Sequence, residues 1–159
     1  MIVLAGCGGK AHTATTASAL HTNSSVPSSR PPAPVIWTQH QAAHQYLVIV
    51  APSNKLIAQW GALGDGKPLS SYTKLAALLA KSDDQFARSL TAGRWPADVK
   101  PKINTLVTTI IHERFAWKAV AAAKTVDQEV AAVNDPALNN NAGPAAADAV
   151  RIALGLPSN

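Results

Sequence analysis

Two histidines four residues apart, His40 and His44, are the first residues whose types and spacing could do chemistry. On a helix such a pair shares one face, within reach of a single metal ion. His112, next to Glu113, could add ligands if its helix packs against theirs. No cysteine or second histidine pair completes a ligand set, and His40 falls in a first turn, where side chains are usually solvated. No metal site and no cofactor is therefore expected, and His40, His44 and His112 stand as weak candidates only. Glu113 lies near an apolar seam, between Ile110 and Trp117. A partly buried carboxylate there could serve as an acid or base with a raised pKa. Arg114, Lys118 and His112 are near in sequence, so pairing with one of these cations is the expected role.

Two further groupings invite a binding function. Lys74, Lys81 and Arg88 recur every seven residues and form one basic stripe that could meet phosphate headgroups or an anionic wall polymer. Such a row is more often the solvated face of a helix. Four tryptophans, Trp37, Trp60, Trp95 and Trp117, could line an apolar pocket, and Trp60, Trp117 and Glu113 are its weak ligand-binding candidates. At helix ends and seam positions, tryptophans are more often core. Catalysis finds less support. There is no G-x-S-x-G elbow. Asp83 and Asp84 are adjacent, so on a helix they point about 100° apart rather than at a shared bond. No catalytic residue is assigned and no enzyme activity is expected.

The elements that position these residues read as helices. Charged residues are only 14% of the 159, aromatics 5%, and alanine is abundant, a mix that suits closely packed helices better than a sheet. Thr38 and Gln41 form a T-x-x-Q capping box that opens a first helix. Its apolar stripe is Ala43, Tyr46 with Leu47, Val50, Ile57 and Trp60. Pro52 falls inside the stripe without breaking its phase, so one kinked helix is expected. A second helix runs from about Ser71 to Thr91 on a seam of Tyr72, Leu75, Leu79, Phe86 and Leu90, with Ser82 its one polar member. A third, capped by Asp98, carries Ile103, Leu106, Ile110, Trp117 and Val120 and continues to about Lys124. A fourth opens at Thr125-Val126-Asp127-Gln128 and is interrupted at Asp135-Pro136 and Gly143-Pro144. Four helices on short connections predict an all-α, up-down-up-down bundle over residues 35–159.

Residues 8–34 differ. They are rich in Thr, Ser, Ala and Pro, lack hydrophobic periodicity, and are expected to form a disordered tether roughly 30 Å in reach. The net charge is +5; without Lys10 and Arg30, both N-terminal of the domain, twelve basic residues face nine acidic ones, or +3. That surface is too weakly basic to argue for nucleic acid. No later apolar run approaches the roughly 20 residues that cross a membrane.

The run Leu4-Ala5-Gly6-Cys7 resembles the lipobox of bacterial prolipoproteins: an aliphatic residue, two small residues, then cysteine. Small residues let a processing peptidase reach the bond before the cysteine, whose thiol accepts the lipid. The resemblance implies that residues 1–7 are a signal-peptide remnant with its lipobox and that Cys7 is lipidated. It places the domain outside the cytoplasm, anchored to the cell membrane. Only six residues precede Cys7 and none is basic, which departs from a full signal peptide. YLVIVAPSN (residues 46–54), RWPADVKP (94–101) and AVRIALGLP (149–157) also resemble small secreted lipoproteins of actinobacteria without an assigned function. The expected role is a helical binding or scaffolding domain with the membrane, an envelope protein or an anionic wall polymer as partner. The alternative is a small-ligand or metal carrier using a cavity between helices.

Overall fold

The computed structural model describes residues 34–64 and 66–158, and every regular element among them is helical. Cys7, the lipobox and the stretch 8–33 lie outside the described residues. Three long helices, α1 (Gln39–Gly61), α2 (Leu69–Ala92) and α3 (Lys100–Ala122), are followed by three short ones, α4 (Val126–Val133), α5 (Pro136–Asn139) and α6 (Ala142–Ala153). The expected fourth helix is in three pieces, as its two expected interruptions imply, and the described residues hold six helices.

Local sequence accounts for the boundaries. Thr38 caps α1 as the box predicts: Gln41 N donates to Thr38 Oγ1 at 3.3 Å, and Thr38 N donates to Gln41 Oε1 at 2.9 Å. Pro52 sits inside α1 and the helix runs through it. Gly64 (φ 65°) and Gly66 (φ 77°) take the left-handed backbone of the corner into α2, which side-chain-bearing residues rarely adopt. Tyr72 staples that corner, its hydroxyl donating to Gly64 O at 2.6 Å. Asp98 does not cap α3; Val99 occupies the cap position with no side-chain bond, and Pro101 is tolerated in the first turn. At α4, Gln128 N donates to Thr125 Oγ1, but the Gln128 side chain reaches back to Lys124 N rather than to Thr125 N. Asp135 caps α5 through Ala137 N. The second break falls at Asn140 and Asn141, so Gly143 and Pro144 lie inside the first turn of α6 instead of interrupting the chain.

Packing forms two apolar clusters. The larger joins Tyr46 and Val50 of α1, Phe86 and Leu90 of α2, Ile103, Leu106 and Ile110 of α3, and Val150 of α6. The smaller joins Leu79 and Ala76 of α2 to Trp117 and Val120 of α3, with Leu56, Trp60 and the α4 residue Val133 packed against it. Burying each large aliphatic side chain stabilises the fold by roughly 1.5–3 kcal/mol. The α2–α3 pairing is the most extensive, and α6 lies against α3. One expected register is corrected here. On α1 the buried positions are Ala42, Tyr46, Val50 and Ser53, whereas Leu47 is 42% and Ile57 50% exposed. Trp95 closes the end of the larger cluster, donating from Nε1 to Leu90 O at 2.6 Å and meeting Trp37 edge-on at 5.0 Å.

Candidate functional site

Between the two apolar clusters the bundle carries polar side chains on three consecutive helices. Ser53 of α1 and Ser82 of α2 bond hydroxyl to hydroxyl at 2.8 Å. Asp83 of α2 is only 6% exposed, and its Oδ2 meets no hydrogen-bond partner among the described residues. Glu113 and Arg114 face the same level from α3, and Glu113 lies so close to Gly143 of α6 that a Cβ there would overlap its carboxyl. Burial, reinforced by the neighbouring Glu113, pushes the Asp83 carboxyl up to about 7 against the opposing pull of Arg114. Burial alone pushes Glu113 up to about 7. Both carboxyls therefore hold a proton more readily than ordinary carboxylates do.

The expected ion pair at Glu113 is corrected by this arrangement. Arg114 turns to Asp84 instead, which it shares with Arg88, and hydrogen bonds from the two guanidinium groups hold Asp84 below the usual carboxylate range. The basic stripe is thereby unequal: Lys74 and Lys81 are exposed, while Arg88 is engaged by Asp84 on its own helix. The adjacent acids divide as helical geometry requires, Asp83 inward and Asp84 outward.

The histidines are not brought together. His40 and His44 are exposed and share a shallow depression with Trp37, and His112 lines a separate one beside Asp135 and Phe115. Among the described residues, no three His, Cys, Asp or Glu side chains converge as a metal site would need.

A second feature lies at the corner between α1 and α2. A groove of about 620 Å³ is lined by Trp60 and Tyr72 together with Val126, Glu129, Val130 and Val133 of α4. Trp60 meets Tyr72 edge-on at 6.0 Å and Trp117 at 4.7 Å, so its ring is held between the groove and the smaller apolar cluster. Trp117 is buried behind it and does not line the groove. Val126 and Val130 remain 62% and 49% exposed, an apolar wall left facing water. Glu129 is buried in the same wall, and no hydrogen bond or ion pair holds its carboxylate among the described residues. Of the sequence candidates only Trp60 belongs here. Tyr72 and the α4 residues are not singled out by the sequence pattern as ligand contacts, although V-x-x-E-V-x-x-V over 126–133 sets four residues on one helix face.

Set beside known proteins, the chain matches no family model, no curated protein and no solved structure. No helix of the described residues is long and apolar enough to cross a membrane.

Proposed function

We propose that the protein is an extracytoplasmic binding domain, held at the cell membrane through a lipid on Cys7, that carries a small, largely apolar ligand in the α1–α2/α4 groove. The observation behind the binding half is the groove that Trp60 and Tyr72 line together with the solvent-exposed Val126 and Val130. A concave site of several hundred Å³ with aromatic walls and one or two polar groups has the dimensions and chemistry of a small-ligand pocket. The anchoring half rests on Leu4-Ala5-Gly6-Cys7 and the polar stretch that follows. In this reading α4 to α6 together take the place of the fourth helix of an up-down-up-down bundle. The groove also favours a carried ligand over the scaffolding role, because its walls are spaced for a small molecule rather than presented as a flat face.

One preparation tests both halves. The protein is purified from the native membrane fraction, its N-terminal peptide weighed, and small molecules extracted and compared with those from a Val130→Trp variant, whose indole would fill the groove. Acylated Cys7 and an extracted molecule lost in Val130→Trp are the expected results. An unmodified cysteine in the soluble fraction would overturn the anchor, and identical extracts from both proteins would overturn the pocket.

A further inference from the structure

The groove has a charge preference as well as a shape. Among the described residues its walls contain one carboxylate, Glu129, which is 9% exposed and is placed on the same face of α4 as Val126, Val130 and Val133. The carboxylate oxygens of Glu129 still meet water in the groove, and a ligand that displaces that water must replace it with a cation or a hydrogen-bond donor. No described residue supplies either. Lys67 borders the groove and is exposed, but it makes no ion pair with Glu129. Its backbone N–H is turned to the Tyr72 hydroxyl at 3.4 Å. Trp60 and Tyr72 line the same groove, and the π faces of such rings attract cations and repel anions.

Resting on the binding role proposed above, we infer that the groove selects a small organic ammonium ion with an apolar body, its charge set on Glu129 and its hydrocarbon part against the rings and the α4 valines. An anionic ligand would meet an unneutralised carboxylate in an apolar wall. A neutral apolar ligand would fill the groove but bury Glu129 further with nothing to compensate it. The ammonium ion alone satisfies both the walls and the charge. The volume, about 620 Å³, admits a small molecule carrying one ring or a short alkyl chain and is too small for a folded partner.

The test uses the full chain and two probes of nearly the same shape, 2-phenylethylammonium and 2-phenylethanol, titrated against tryptophan fluorescence and by calorimetry. The expected result is that the ammonium binds at least tenfold tighter than the alcohol at neutral pH. In Glu129→Gln that ratio should fall to about one while the alcohol binds as before. Equal affinities in the unmodified protein would overturn the charge preference and leave the pocket standing. Binding of neither probe would overturn the pocket and the inference together. Because the ratio is measured first on the unmodified protein, the result does not depend on the variant folding. Tighter ammonium binding that persists in Glu129→Gln would overturn the assignment of Glu129.

Discussion

The contact between Glu113 and Gly143 shows how a single missing carbon shapes the middle of the molecule. Glu113 crosses from α3 to lie on the α6 backbone, where only a glycine leaves room for its carboxyl. In Gly143→Ala that carboxyl, the far end of a flexible side chain, must shift to clear the new methyl, which costs no more than the low end of the range for core overpacking, about 1–3 kcal/mol. Replacing glycine by alanine in a helix otherwise gains up to about 1 kcal/mol. The same substitution made in a Glu113→Ala background should therefore be neutral or stabilising. A double-mutant cycle on chemical denaturation checks this, with a coupling of about 0.5–1 kcal/mol expected. Additive effects would mean that the two residues do not meet. Glu113 itself is legible as a carboxylate at a seam, from the spacing of Ile110 and Trp117. Its partner is not: pairing with Arg114, one of three expected cations alongside Lys118 and His112, depends on which way the guanidinium turns. Asp84 on the neighbouring helix settles that direction, and no spacing within α3 encodes it. Asp83 is legible in principle, four residues after Leu79 and three before Phe86, but a charged residue is a poor guess for a buried position.

At the scale of the element, α1 combines a well-made start with an ill-suited interior. The Thr38–Gln41 box is readable from four residues because capping is local chemistry. The buried face differs from the expected one by one position, since Ala42 and Ala43, or Tyr46 and Leu47, offer the same apolar pattern in either register. Only packing against α2 decides between them, leaving Leu47 and Ile57 outside. The expected fourth helix divides for a related reason. Asp135-Pro136 marks one break through a cap and a proline, whereas the break at Asn140 and Asn141 has only the Asn140 side chain accepting from Ala142 N. Pro52 remains as a testable cost. It is exposed, lies inside a continuous helix, and removes the amide hydrogen that would bond to Val48 O. Pro52→Ala should stabilise the domain by roughly 1–3 kcal/mol, less the entropy proline withholds from the unfolded chain. A thermal melt raised by several degrees is expected. An unchanged or lowered melting temperature would show that Pro52 is needed to seat Tyr46 and Leu56 on their separate clusters.

For the whole molecule, the polar level at Ser53, Ser82, Asp83 and Glu113 interrupts an otherwise apolar core and ties its stability to pH. Asp83 and Glu113 are raised from ordinary values of 3.8 and 4.5 to about 7. Between about pH 4 and pH 7 the native protein therefore holds protons that the unfolded chain has released. Stability falls wherever the native state binds more protons and the pH rises, so it should decline across that interval and level off above it. For an isolated group, a tenfold gain in proton affinity on folding corresponds to about 1.4 kcal/mol, so the loss is on the order of a few kcal/mol for the coupled pair. Asp84 acts in the opposite sense. Its carboxylate is favoured in the fold by Arg114 and Arg88, so its contribution is lost as the pH drops through and below the ordinary carboxylate range. The two trends place maximum stability near about pH 4, below the range usual for folded domains. Denaturant unfolding from about pH 3.5 to pH 8 checks the curve. Asp83→Asn, which keeps the shape and cannot ionise, should flatten the decline between about pH 5 and pH 7 and leave the protein more stable than the unmodified chain at pH 8. A curve that rises toward pH 7 would mean that Asp83 and Glu113 are ionised and paired in the fold, with Arg114 drawn inward from Asp84 to meet them.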